Sequence, residues 1–330
     1  MPHVRELEVF RLTLPYGRRP ESILVRLTDY GGMVGWGEVV QPADGVWDEM
    51  KRLAELVGVD WEHPSELPYL GVAADMACWD LWARLDGVPL AHALGGTRTS
   101  LMATVRLAAD RNLHSMVARV NQHVGAGYGH ITMDIHPGWD VEPVRAVRAA
   151  YPALAIAVDG RGAYSSLEQL VALDSYQLSA IERPLTDLWA SAELQDQISA
   201  PVAVEVSSLA DLDEAIAARA GRALLLRPAR LGALTTARQA HDHAWGAGWD
   251  ITCAGGRGTG LARAATVAVA ALPGCTLPSD VTEPPRNAQI VAPPVGASGG
   301  VVAVPLTQPG LGHQVDEKRV RQLAEESFRA

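Results

Sequence analysis

From about residue 100 the chain repeats one pattern, a short apolar run ending in a polar residue, then apolar positions at helical spacing. The runs are "HITMDI", "LAIAVDG", "LSAIERP", "PVAVEVSS", "ALLLRPAR", "WDITCAGG" and "CTLPSD". Their end residues Asp134, Asp159, Glu182, Glu205, Arg227 and Cys253 follow one another at intervals of 25, 23, 23, 22 and 26 residues. Such regular alternation predicts repeated βα units around a parallel sheet. No glycine-rich phosphate loop follows the first unit, which favours a closed (β/α) barrel over an open doubly wound sheet.

The N-terminal part follows a different rule. "RELEVFRLTL" and "SILVRLTDYGGMVGWGEVV" read as strands, with Gly31-Gly32 as a hairpin turn. "AADMACWDLWARLDG", residues 73 to 87, sets Met76, Trp79, Leu81, Trp82 and Leu85 at helical spacing, and Gly87 stops it. "EPVRAVRAA" and "TARQAHDHAWGAG" are predicted as later helices, and "APPVGASGG" as a short connection. "VDEKRVRQLAEESFRA" reads as a polar helix that closes the chain.

Composition narrows the partners. At 48% hydrophobic residues, the 330-residue chain can bury a large core. A formal net charge of −10 speaks against a nucleic acid or an anionic membrane as partner. Cys78, Cys253 and Cys275 lie far apart, which argues against a disulfide framework or a zinc site. No signal-peptide pattern opens the chain, and no apolar run approaches the roughly 18 residues of a spanning helix. The expectation is a cytoplasmic protein.

The strand ends carry the candidate chemistry. In a parallel barrel they line one mouth, so Asp159, Glu182 and Glu205 should converge there. Three carboxylates in one cavity repel unless a cation or arginines sit among them. Hard oxygen ligands of this kind suit Mg²⁺. The plainer alternative has each acid capping a helix or pairing with an arginine, and matching position on three strands outweighs it. Asp134 ends its own strand, and alternation puts Thr132 on the same face; Arg161, two residues after Asp159, faces the same cavity. His130 lies lower on its strand and reads as a core histidine, and "HDH" at 241 to 243 as a helix surface. "AGGRGTG" lacks the Lys-Ser/Thr ending of a nucleotide loop, though its backbone can bind an anion, so no organic cofactor is expected.

Taken together, "AADMACWDLWARLDGVPLAHALGG", "GHITMDIHPGWDVEPVRAVRAAYP", "AVDGRGAYS", "AIERPL", "LLLRPARLGAL", "CAGGRGTGLARAATVAVAALPG" and "TQPGLGHQVDEKRV" resemble the enolase superfamily. They are most similar to the o-succinylbenzoate synthase/N-succinylamino acid racemase branch of its muconate-lactonizing subgroup, from about residue 5 to 325. The resemblance implies an α+β capping domain over residues 1–97, a modified (β/α)₇β barrel over 98–300, and a segment 301–330 returning to the cap. It implies Mg²⁺ at Asp159, Glu182 and Glu205, a small anionic substrate, and room for a homo-oligomer.

Several positions depart from that family's pattern. Its Lys-x-Lys motif is replaced by Thr132-Met133-Asp134, its sixth-strand lysine by Arg227, and its asparagine after the first metal acid by Arg161. Arg257 enters the loop after the seventh strand, and Glu205 stands where aspartate is usual. Arg18 and Arg19 lie in a shortened loop resembling the one that covers substrate. An arginine, with a pKa above about 12, is a poor base. The expectation is therefore a divergent lyase, cyclase or isomerase acting on a carboxylate-containing molecule. Asp134, Thr132, Arg161 and Arg227 would be catalytic, and Arg257, Arg18 and Arg19 would bind substrate. The competing expectations are a catalytically silent ligand-binding barrel and, last, one of the two family activities.

Overall fold

The structure is a computed structural model that describes the whole chain except residues 16–20, 69, 111 and 282–285. Strands β1 (Val4–Thr13), β2 (Glu21–Asp29) and β3 (Val34–Val40) form an antiparallel meander. Helix α1 (Val72–Leu85) packs across it, and its approach to β3 depends on two glycines. A Cβ at Gly37 would lie 1.9 Å from the Ala73 carbonyl oxygen, and one at Gly35 would lie 2.3 Å from that of Ala77. Val9, Ile23, Val25, Ala77 and Leu81 close the small core between sheet and helix.

The chain's end differs from expectation. The polar helix spans only Glu317–Leu323, and Ala324–Arg329 is a strand that pairs antiparallel with β1. Local helix propensity is overridden because β1 offers an unpaired edge. Arg11, between Glu21 and Glu326, ties the added strand across the sheet.

The barrel is built from β4 (Val105–Leu107), β5 (His130–Asp134), β6 (Ala155–Asp159), β7 (Ala180–Glu182), β8 (Val202–Val204), β9 (Ala223–Leu226) and β10 (Asp250–Cys253). All seven are parallel and adjacent in sequence order. The ring closes through parallel bridges from Ser279 to Ala103 and from Asp280 to Ala254. Two of the helices around it, α2 (Leu234–Gly246) and α3 (Gly260–Ala270), face the cap. The register pairs Asp134 with Asp159 and Asp159 with Glu182, so three acidic strand ends stand level.

Buried acids lock cap to barrel. Glu38 of β3 accepts from the Thr259 and Ala262 backbone N–H groups at 2.9 and 2.8 Å, at the start of α3. Asp75 of α1 accepts from the Leu234 backbone N–H at 2.6 Å and the Thr235 hydroxyl at 2.8 Å, at the start of α2. A carboxylate at a helix N-terminus meets otherwise unpaired N–H groups and the positive end of the helix dipole. Asp80 accepts from the Trp36 and Leu311 backbone N–H groups and pairs with Arg84.

The "HDH" segment is not simply surface. His241 is buried and accepts from the Gly274 N–H at 2.9 Å, because it lies on the stripe of Ala237, Ala240 and Ala244 that faces inward. His243 is exposed beside Asp213.

Candidate functional site

Each mouth residue is placed by the end of a short strand. Asp159 and Glu182 are buried, and Glu205 follows β8 at the rim, partly exposed. The structure brings these three acids together through arginines, two of which the sequence reading did not single out. Arg106, the central residue of β4, donates to Asp159 at 2.9 Å and to Glu182, and its Nε lies 3.4 Å from Asp280. Arg183, the residue after β7, donates to Asp159 from Nε at 3.2 Å and from Nη2 at 2.5 Å, and sits 3.4 Å from Glu205. Arg227 lies 2.8 Å from the other oxygen of Glu205, but out of line for a hydrogen bond, so that contact is purely electrostatic. A clue to Arg106 and Arg183 was in the chain: each is a single cation at a strand that carries or neighbours a mouth acid.

Arg161 plays a different part from the one its position suggested. Its guanidinium turns to Asp134, 2.6 Å away, and its side chain is 60% exposed. Only its backbone N–H reaches Asp159, at 3.0 Å. Arg161 and Arg183 both have left-handed backbone, with φ of 52° and 44°. Few residues other than glycine adopt it, and such strain of about 1–3 kcal/mol is typical of sites that over-determine their geometry.

Asp134 is buried, and its second oxygen, Oδ1, has no hydrogen-bond partner. No other carboxylate oxygen among the described residues is buried in that condition. Thr132 faces inward below it, 3.0 Å from the Thr104 hydroxyl. His130 lines the barrel interior lower still, where burial pulls its pKa down. Arg257 is exposed in the loop before α3, whereas Arg18 and Arg19 lie outside the described residues.

The arginines set the protonation states. Burial pushes Asp159 upward, but the bonds and charge of Arg183, the charge of Arg106 and the Arg161 N–H outweigh it, and the carboxyl is held below its ordinary value. For Glu182 burial wins, aided by Asp159 and opposed by Arg106, so its pKa is raised. Burial also pulls Arg106 down, but Glu182, Asp280 and Asp159 together raise it above the usual arginine range. Burial lowers Arg227, with Glu205 restoring part of the loss.

The resemblance in the sequence implies Mg²⁺ at Asp159, Glu182 and Glu205. Both oxygens of Asp159 are filled: Oδ2 accepts from Arg106 and Arg183, and Oδ1 from Arg183 and the Arg161 N–H. A carboxylate offers about four acceptor positions, and all four are used. Five carboxylates (Asp134, Asp159, Glu182, Glu205, Asp280) pair with five guanidiniums (Arg106, Arg161, Arg183, Arg227, Arg263). The mouth is formally neutral without another cation. Among the described residues no group of His, Cys, Asp or Glu is arranged to hold a metal. The residues as placed do not fit Mg²⁺.

Between cap and mouth lies a cavity of about 1020 Å³. Val39, Met50, Leu53 and Leu70 give it an apolar side, and Glu205, Arg227, Arg230 and the backbone of 254–256 a polar floor. No helix among the described residues is long and apolar enough to cross a membrane.

Comparison with known proteins places this architecture. Residues 115–319 match the family model described as enolase C-terminal domain-like. The chain is 32% identical to the o-succinylbenzoate synthase of Bacillus subtilis, over 91% of this chain and 88% of that protein. It is also 32% identical to the N-succinylamino acid racemase of Thermus thermophilus, over 90% and 88% respectively. A crystal structure of an enolase-superfamily protein from Listeria innocua superposes with a TM-score of 0.91, covering 100% of this chain and 99% of the other at 23% identity. The chain belongs to the enolase superfamily.

Proposed function

We propose that this chain is an enolase-superfamily enzyme that takes a small carboxylate-containing molecule into the cavity between cap and barrel. Asp134, at a strand end of the same barrel mouth and outside the cavity's present lining, serves as the acid/base group. The observation that carries this is the unpartnered buried oxygen of Asp134, beside a second oxygen held by Arg161. The chain has two lysines, Lys51 in the cap and Lys318 near the C-terminus, so no barrel strand can supply a lysine base. Arg161 occupies Oδ2 of Asp134, so the unpartnered Oδ1 is the oxygen left to exchange a proton with a ligand once the side chains that cover it move aside. Arg227 and Arg230, on the cavity floor, attract the ligand's carboxylate, and the apolar wall takes its body. One acid/base group suffices for elimination, cyclisation or isomerisation, whereas racemisation needs a base on each face of the reacting carbon.

A second reading is favoured by the relatives, an o-succinylbenzoate synthase and an N-succinylamino acid racemase, each 32% identical across nine-tenths of the chain. One experiment separates the two. The purified protein is assayed for both named reactions, then with a panel of small hydroxy-, keto- and amino-carboxylates in D₂O, following solvent deuterium incorporation. Our reading expects neither named activity, and an exchange or elimination that Asp134→Asn removes while binding persists. Turnover in either named reaction, unaffected by Asp134→Asn, would overturn it.

A further inference from the structure

The acids that would make a metal site in this barrel already hold a cation of their own. Arg106 extends from β4 into the mouth and meets Asp159 and Glu182 at the ends of the next strands but one and two, and Asp280 in the segment that closes the ring. A guanidinium carries a delocalised, permanent charge and five donors in a rigid fork, which suits it to bridging several carboxylates. Arg183 repeats the arrangement one strand further on, between Asp159 and Glu205.

We propose that Arg106 is the built-in cation of this barrel, seated among Asp159, Glu182 and Asp280 in place of a divalent ion, so that the chain folds and keeps its mouth without one. The saturation of Asp159 carries this furthest. Mg²⁺ binds carboxylate oxygen at about 2.0–2.1 Å in a near-octahedral shell. Each Asp159 oxygen already receives two N–H groups, the four contacts lying between 2.5 and 3.2 Å. An entering ion would have to expel at least one of these donors, three of which belong to guanidiniums that cannot lose their charge to make room. The inference stands apart from the role given to Asp134, because its readout is stability and cation binding rather than turnover.

The test compares the intact protein with Arg106→Met and Arg106→Lys. Thermal unfolding is followed in EDTA, in excess Mg²⁺ and in excess Mn²⁺, with calorimetric titration of each ion. The unaltered protein should melt at the same temperature in all three and show no stoichiometric heat. Arg106→Met should melt lower in EDTA and recover several degrees in Mn²⁺, because Asp159, Glu182 and Asp280 are left with one cation fewer. Arg106→Lys, keeping the charge, should stay indifferent to both ions. A stoichiometric Mg²⁺ or Mn²⁺ isotherm for the unaltered protein, or a melting point that EDTA lowers, would overturn the proposal even if Arg106→Met failed to fold. A folded Arg106→Met that gains no ion affinity would overturn it as well.

Discussion

Buried carboxylates gather in two regions of this molecule, the seam between cap and barrel and the mouth of the barrel, and they are satisfied in opposite ways. At the seam, Glu38 and Asp75 accept from backbone N–H groups and hydroxyls at the starts of two helices. At the mouth, buried Asp159 and Glu182, with the partly exposed Glu205 beside them, are met by full positive charges. The consequence shows in their acidity. Burial raises Asp75 to about 6, because its hydrogen bonds only partly offset desolvation. Asp159 is fully buried too, yet Arg183 and Arg106 carry it below its ordinary value. Two guanidiniums outweigh the burial of Asp159, whereas Glu182, paired with Arg106 alone, stays raised, so a charge decides acidity only where it exceeds desolvation.

Removing a charge from the mouth should therefore do the most damage. Arg106→Met leaves buried Glu182 without its ion-pair partner and takes one of two from Asp159, and losing one partner of a buried ion pair typically costs about 3–5 kcal/mol. Urea denaturation should show a loss of that order, and a loss below about 1 kcal/mol would erase the contrast between mouth and seam.

The seam should reveal itself through pH. The Asp75 carboxyl rises from an ordinary 3.8 to about 6 on folding. Between those values the folded chain binds more protons than the unfolded one, so this group's contribution to stability falls as pH rises through the window and is level above it. The shift corresponds to about 3 kcal/mol at most. Asp75→Asn should flatten this part of the profile, and parallel profiles for the two proteins would show that Asp75 is not desolvated as described.

Turnover separates one acid from the rest. With a substrate in hand, Asp134→Asn should lower kcat by about 100-fold or more, the usual scale of a lost acid/base group, with KM little changed. An equal rise in KM at unchanged kcat would make Asp134 a binding residue only.

The smallest effect belongs to Arg161→Asn. Its side chain is mostly solvated, so the pair with Asp134 should contribute under about 1 kcal/mol to stability. The same substitution should leave Mg²⁺ binding undetectable, because the guanidiniums on Asp159 are those of Arg106 and Arg183. A tighter Mg²⁺ isotherm for this variant would move the competition for Asp159 back to Arg161.

Much of this arrangement was legible along the chain because it depends on local period. Apolar runs of three to five residues ending in Asp134, Asp159 and Glu182 became adjacent parallel strands. The helix predicted at 73 to 87 runs from Val72 to Leu85. What local period cannot carry is pairing at a distance. The final segment has helix-favouring residues throughout, and only the open edge of β1, more than 310 residues away, makes its second half a strand. Arg106 is one polar residue in a three-residue strand, and the acids it serves lie 53, 76 and 174 residues further along. Its charge was visible in the sequence, but its partners were chosen by barrel closure, which brings the first strand against the segment at 279–280. The sequence by itself determined that acids would crowd the strand ends, since side-chain alternation and strand spacing are local. Which cations answer them was decided by tertiary structure, because electrostatic pairing depends on distance in space and a guanidinium reaches whatever carboxylate the fold sets before it.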